Sequence, residues 1–138
     1  MDDIYNLSRF LEAQSNNYST ALLEIQSGRK TTHWMWYIFP QITGLGRSNI
    51  SEYYAIKSVD EARAYINHST LSHRLREVSH ALLIHSDKNI KDILGSVDAM
   101  KLKSSMTLFD LVSPNDVFAA VLNTFFASLR DTNTLIRL

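Results

Sequence analysis

Apolar residues recur at helical spacing along nearly all of this 138-residue chain, and one stretch, "GRKTTHWMWYIFPQITGLGRS" from Gly28 to Ser48, breaks the rhythm. A stripe repeating every three or four residues occupies one face of an α-helix and has to be covered by another element. A chain that repeats it this often is constrained to pack helix on helix. Ile4, Leu7, Phe10 and Leu11 open the pattern, with Asp2 and Asp3 placed to favour a helix N-terminus, and the polar face of this helix reads as ordinary. Tyr18, Ala21, Leu22 and Ile25 form a second stripe that Gly28 is positioned to end, and "NNYS" between the two reads as a turn.

Further along, Ser58 and Glu61 have the spacing of a capping box, which predicts a helix starting at Val59. Leu71, Leu75, Val78 and Leu82 mark a longer helix with Ser69 or Thr70 as its cap, and "DKNIKDILG" predicts a short one begun by Asp87 and ended by Gly95. Ser113 and Pro114 give a cap followed by a first-turn proline. The helix they introduce carries Val117, Phe118, Val121, Leu122, Phe125, Phe126 and Leu129, and its wide apolar arc predicts the central core helix. Leu135, Ile136 and Leu138 are expected to dock the chain end into the core, with Asp131 as a helix-end or turn residue. Trp34 to Phe39 has no helical period and stops at Pro40, so short strand, buried helical turn and extended loop all fit. The expected architecture is mainly α, a compact multi-helix single domain over residues 1–138 with little or no sheet.

Composition removes several function classes. Fourteen basic residues balance fourteen acidic ones, so there is no global field to draw the chain onto nucleic acid or an anionic membrane. Any anionic partner has to be met locally. Cysteine is absent, which excludes disulfides, thiol catalysis and thiolate metal sites. "MDDIYNLSRF" is unlike a signal peptide and no apolar run has membrane-spanning length, so a cytoplasmic location is expected. His73 and His80 with Glu77 between them match neither a metalloprotease motif nor an i, i+4 histidine pair, and no metal site is predicted.

Chemistry concentrates in two places. Arg29, Lys30, His33 and Gln41 supply donors for an anion, while Trp34, Trp36 or Tyr37 offers a face for a planar ring. Gly44, Gly46 and Ser48 in "GLGRS" add backbone able to approach phosphate, without the third glycine of a dinucleotide fingerprint or the lysine of a phosphate-binding loop, so no cofactor is implied. The competing reading is that these aromatics fill the core. The second place is "DAMKLKSSMTLFD", where helical spacing sets Asp98, Lys101 and Ser105 along one side, either as a nucleophile with its activator or as an ion pair on a solvated face.

The blocks "NLSRFLEAQ", "ALLEIQSGRKTTHWMWYIFPQITGLGRS", "YYAIKSVDEARAYINHSTLSHRL", "DAMKLKSSMTLF" and "TLIRL" resemble, nearly end to end, those of the DUF1810 family, or Rv1873-like superfamily. The resemblance implies a compact, mainly helical domain of bacterial distribution and no assigned activity. Among polar positions its blocks fall on Arg29, Lys30, His33, Gln41, Ser48, Asp98, Lys101, Ser104 and Ser105. Two departures, "HST" at His68 to Thr70 and Ser72 in place of a glycine, touch only a helix boundary. A fainter similarity in element order links the chain to the NADAR proteins, small helical domains associated with ADP-ribose chemistry.

The combined expectation is a pocket where the Arg29–Ser48 segment meets the Asp98–Thr107 segment. Its ligand would be a small phosphorylated nucleotide derivative such as ADP-ribose, with Arg29, Lys30 and Lys101 on phosphate and Trp34 or Trp36 on the base. His33 or Asp98 would move a proton if the site is hydrolytic. The alternative is a noncatalytic protein-interaction domain, in which Arg29, His33 and Gln41 are buried against backbone carbonyls. Nucleic acid is a disfavoured partner, a membrane is not expected, and nothing in the chain sets an oligomeric state.

Overall fold

The computed structural model describes residues 3–138, and its first helix is longer than its sequence signals. That helix, α1 (Ser8–Gln26), runs straight through the Asn16–Ser19 segment for which a turn is predicted. Phe10, Gln14, Ala21 and Ile25 are buried along it with Tyr18 half-buried between them, an unbroken helical stripe. Asn17 Nδ2 donates to the Ala13 carbonyl at 2.9 Å and Ser15 Oγ to that of Glu12 at 2.7 Å, so these side chains bond back to the helix instead of turning the chain. Their propensity cost, some tenths of a kcal/mol each, is smaller than the ~1.5–3 kcal/mol from burying each large apolar side chain. The Asp3 carboxylate accepts from the free N–H groups of Leu7 (2.7 Å) and Ser8 (2.9 Å), as its position predicts; Asp2 lies outside the described residues. Gly28, at φ +79°, ends the helix with Arg29 N–H donating to the Glu24 carbonyl at 3.0 Å.

The polar face of α1 is not ordinary. Arg9 is only 5% exposed and all five of its N–H groups are used. Nε donates to Tyr53 O (2.8 Å), Nη1 to Tyr5 O (2.7 Å) and Asn6 O (2.9 Å), and Nη2 to Ala55 O (2.9 Å) and Glu61 Oε2 (2.6 Å). One guanidinium thereby joins the start of α1 to the ends of two further helices, α3 (Asn49–Tyr54) and α4 (Val59–Asn67). It also modifies the predicted capping box. Ser58 Oγ accepts from Glu61 N at 3.1 Å and α4 starts at Val59 as predicted, whereas the Glu61 carboxylate serves Arg9 and the Lys57 N–H (3.0 Å). The open choice at Trp34 to Phe39 resolves as a single helical turn, α2 (Met35–Ile38).

Three predicted caps move to neighbours. α5 (Ser69–Leu83) is capped by His68, whose Nδ1 accepts from Leu71 N at 3.2 Å, in place of Ser69 or Thr70. α6 (Ile90–Leu94) is capped by Asn89, two residues past Asp87, and does end at Gly95. Between Gly95 and the Ser113–Pro114 turn lies α7 (Ser96–Val112); α8 (Val117–Phe126) then starts from Asp116, to which Ser113 Oγ donates at 2.8 Å. In each case a side chain one to three residues away has the better reach to the free N–H groups, a matter of local backbone angle that composition does not encode.

The central helix is α7, not α8. It packs against α4, α6, α8 and α9 (Thr132–Leu135), burying Ala99, Leu102, Met106, Leu108 and Phe109, and the Phe109 ring links Tyr65 (5.3 Å) to Phe118 (5.8 Å). α8 leaves Phe125 and Phe126 half-buried and Leu129 exposed. The chain end is held by polar groups rather than by its apolar ones: Leu135, Ile136 and Leu138 stay exposed, while buried Asp131 caps α9. Its Oδ2 accepts from Ser104 Oγ (2.9 Å), Thr134 Oγ1 (2.5 Å) and Thr134 N (3.1 Å), and its N–H donates to Thr107 Oγ1 (2.9 Å). Among the described residues the β structure is an isolated parallel bridge between Ile42 and Ile56, and no helix is long and apolar enough to cross a membrane.

Candidate functional site

The break after α1 exists because Gly28 reverses the chain, and the loop beyond it is tied down at once. Lys30 N–H donates to the Ile93 carbonyl of α6 at 2.7 Å. Glu24, in the last turn of α1, accepts from Thr31 N (2.8 Å), Thr32 N (3.0 Å), Thr32 Oγ1 (2.7 Å) and Trp34 Nε1 (3.0 Å). Partial burial pushes its carboxyl up, but the Thr32 hydroxyl, the two backbone N–H groups and the indole outweigh that and hold it down at about 2. The loop is therefore wound around one carboxylate, and Trp34, 1% exposed, is locked into the core by it.

This anchoring delivers Lys30 to the first turn of α7. Its Nζ lies 2.9 Å from Asp98 Oδ2 and 2.6 Å from the Thr32 carbonyl, and 4.9 Å above the Trp34 ring. The other oxygen of Asp98, Oδ1, is 3.4 Å from Lys101 Nζ, which sits 5.0 Å over the Trp36 ring. The order is indole, ammonium, carboxylate, ammonium, indole. Each cation–π contact contributes about 1 kcal/mol at such partly desolvated positions. Lys30 is saturated: its side chain is 8% exposed and its three donors face a carboxylate, a carbonyl and a ring. Lys101 is more open, at 26%, and keeps donor capacity.

The other candidate residues fall into three groups. Gln41, Gly44 and Gly46 line a shallow concavity with Trp36, whose space of about 10 Å³ suits a single water. Ser48 caps α3, accepting from Ser51 N at 3.2 Å, and a Cβ on Gly46 would lie 2.4 Å from Ser51 Oγ. Ser104 is engaged by Asp131, and Ser105 Oγ is buried with no hydrogen-bond partner among the described residues. Arg29 and His33 are exposed. The two segments thus meet as expected, but they do not enclose a preformed cavity of nucleotide size. A larger groove, about 720 Å³, lies elsewhere, between Tyr5, Tyr53, Lys57 and the saturated Arg9–Glu61 pair.

Sequence reasoning missed Glu24 and Arg9; it placed Asp131 at a helix end, where it caps α9, but not its tie to α7. Glu24 has a legible signal, since an acid in the last turn of a helix opposes the macrodipole and needs another reason to be there. For Arg9, and for the tie of Asp131 to α7, there is none, because the partners that join them to other helices are 44 or more and 24 or more residues away respectively.

Among the described residues, helices packed about α7, with a lysine–aspartate–lysine bridge between two indoles, define a small helical protein with a charged, aromatic-lined cluster at one edge of its core. The sequence profile described as "Protein of unknown function (DUF1810)" matches residues 4–138, and the chain belongs to that family. Its fold matches the crystal structure of the conserved hypothetical protein Rv1873 from Mycobacterium tuberculosis with a TM-score of 0.96, at 39% identity over 99% of this chain and 98% of that one. No curated protein matches the chain.

Proposed function

We propose that the Lys30–Asp98–Lys101 bridge and the half-buried Trp36 ring beside it form a surface recognition site for a small phosphorylated ligand with a planar ring, of the ADP-ribose type. The observation that carries this reading is that two ammonium groups share one carboxylate, leaving a net positive charge fixed beside a half-buried indole. Lys101 is the ligand-facing cation and Lys30 the group that holds Asp98 in place. Arg29 and His33 favour this reading over a purely structural one, because they face solvent rather than backbone carbonyls. Trp34 is too buried to stack on a base, so Trp36 carries that role.

The geometry favours binding over hydrolysis. Both Asp98 oxygens are occupied by ammonium groups, which disfavours proton abstraction by this carboxylate. The test is a thermal-shift titration with ADP-ribose, NAD and inorganic pyrophosphate. A ligand present at about 100 times its Kd adds ~2.7 kcal/mol, roughly 10 °C in Tm for a chain of this size. Lys101→Ala should remove the shift, and product analysis should find the ligand intact. A panel without any shift would defeat the reading.

A second reading, a protein-interaction surface, draws on Val97 (69% exposed) and Met100 (52%), apolar residues flanking Asp98 and Lys101 on α7. In that case Met100→Glu, and not Lys101→Ala, would abolish association.

A further inference from the structure

Gly44, one of the residues lining the Trp36 concavity, is met by the far end of the chain. Gly44 has φ +93°, and a Cβ built on it would lie 2.9 Å from Nε and 3.4 Å from Cδ of Arg137. The arginine therefore rests against the loop in space that only a glycine leaves open. Its position is inherited from the core: Asp131 pins α9 to Ser104 and Thr107 of α7, and Arg137 comes two residues after that helix ends. Arg137 Nη1 donates to the Asn133 carbonyl at 2.8 Å, which fixes the guanidinium on α9. Among the described residues no acceptor takes Nε or Nη2. Those two nitrogens form the side-on edge of a guanidinium, the edge that grips an oxyanion through two parallel hydrogen bonds.

Charge points the same way. Lys30, Asp98 and Lys101 together carry +1 on one side of Trp36, and Arg137 adds +1 beside Gly44, which lines the same concavity as Trp36. Glu52, among the described residues the one charged residue lining that concavity, opposes an anion there, and the two cations have to outweigh it.

We infer that Arg137 is a ligand-binding residue of this site, taking a phosphoryl group bidentately through Nε and Nη2, and that Gly44 is required because a side chain there would displace it. The inference rests on the recognition site proposed above and extends it to a ligand that spans Trp36, engaging Lys101 with one anionic group and Arg137 with another.

Isothermal titration of the full chain with ADP-ribose and with inorganic pyrophosphate tests it. Arg137→Ala should weaken ADP-ribose binding about 10- to 100-fold while leaving the ligand-free Tm within a degree of wild type. Arg137→Lys should lose nearly as much, because a point charge cannot replace the fork. Gly44→Ala should reproduce the loss with the arginine still present. If Arg137→Ala binds as wild type while Lys101→Ala does not, the assignment of Arg137 is wrong and the site stands. If wild type binds neither probe, the site itself is wrong and the assignment goes with it. Should Gly44→Ala fail to fold, the comparison of Arg137→Ala with Arg137→Lys still decides.

Discussion

Replacing Arg9 with methionine tests the claim that one buried guanidinium holds the start of α1 to the α3–α4 junction. Methionine keeps the length of the side chain and removes five donors at once. The pair it breaks has side chains 5% and 2% exposed, so Glu61 would be left as a lone buried charge. Breaking a buried pair in that way costs about 3–5 kcal/mol. Four carbonyls, those of Tyr5, Asn6, Tyr53 and Ala55, also lose a donor. Ala55 O keeps Lys57 Nζ and Asn6 O keeps the residue 9 N–H, so the roughly 1 kcal/mol cost of a dry, unpaired carbonyl falls on those of Tyr5 and Tyr53. The groove of about 720 Å³ that Arg9 lines admits water to some of them, so the total stays near 5 kcal/mol. Against a total stability of roughly 5–15 kcal/mol this is a large fraction. With a urea slope of about 2 kcal/mol per molar, the unfolding midpoint should fall by about 2.5 M. Circular dichroism at increasing urea reads it directly. The double variant Arg9→Met/Glu61→Gln isolates the charge contribution: it should be more stable than the sum of the single losses by about 2 kcal/mol, because no lone carboxylate remains. A midpoint shift under about 0.5 M for Arg9→Met, or strict additivity in the double variant, would refute the claim.

Two other expectations rest on the same geometry. The Glu24 carboxyl is held at about 2 in the folded state against an ordinary value of 4.5, so its contribution is complete above pH 4.5 and is lost as pH falls from there toward 2. Discounted for partial solvent exposure it amounts to about 1–2 kcal/mol, and Glu24→Gln should lower stability by that much at pH 7 and flatten the acid limb of a stability-versus-pH curve; an unchanged limb would contradict it. Gly95 has φ +86° and ψ 160°, with open space where a Cβ would sit, so Gly95→Ala isolates backbone strain and should cost about 1–3 kcal/mol in urea unfolding, whereas a neutral result would mean that the turn relaxes freely.

The readable parts of this fold are those set by neighbours in sequence. The stop at Gly28, the start of α4 at Val59 and the end of α6 at Gly95 each depend on one residue acting on backbone a few positions away. The turn predicted at Asn16–Ser19 fails for the opposite reason. Local polarity argues for a break, and the stripe from Phe10 through Tyr18 to Ile25, whose value depends on distant packing partners, overrides it. The choice of α8 as the central helix fails likewise. Its apolar arc is legible, but which helix lies in the middle depends on how many others cover it, and α7 is covered by four.

At the site, the sequence by itself determined that cations, aromatics and glycines would cluster after α1 and that Asp98 and Lys101 would share a helix face, because spacing of three along a helix fixes that geometry. Only the tertiary structure decided that Lys30 joins them across Asp98, that Trp34 is sealed into the core while Trp36 stays half-buried, and that Arg137 lies against Gly44. Those facts depend on contacts between segments dozens of residues apart, whose pairing is settled by the burial of the whole core and leaves no periodic trace in the chain.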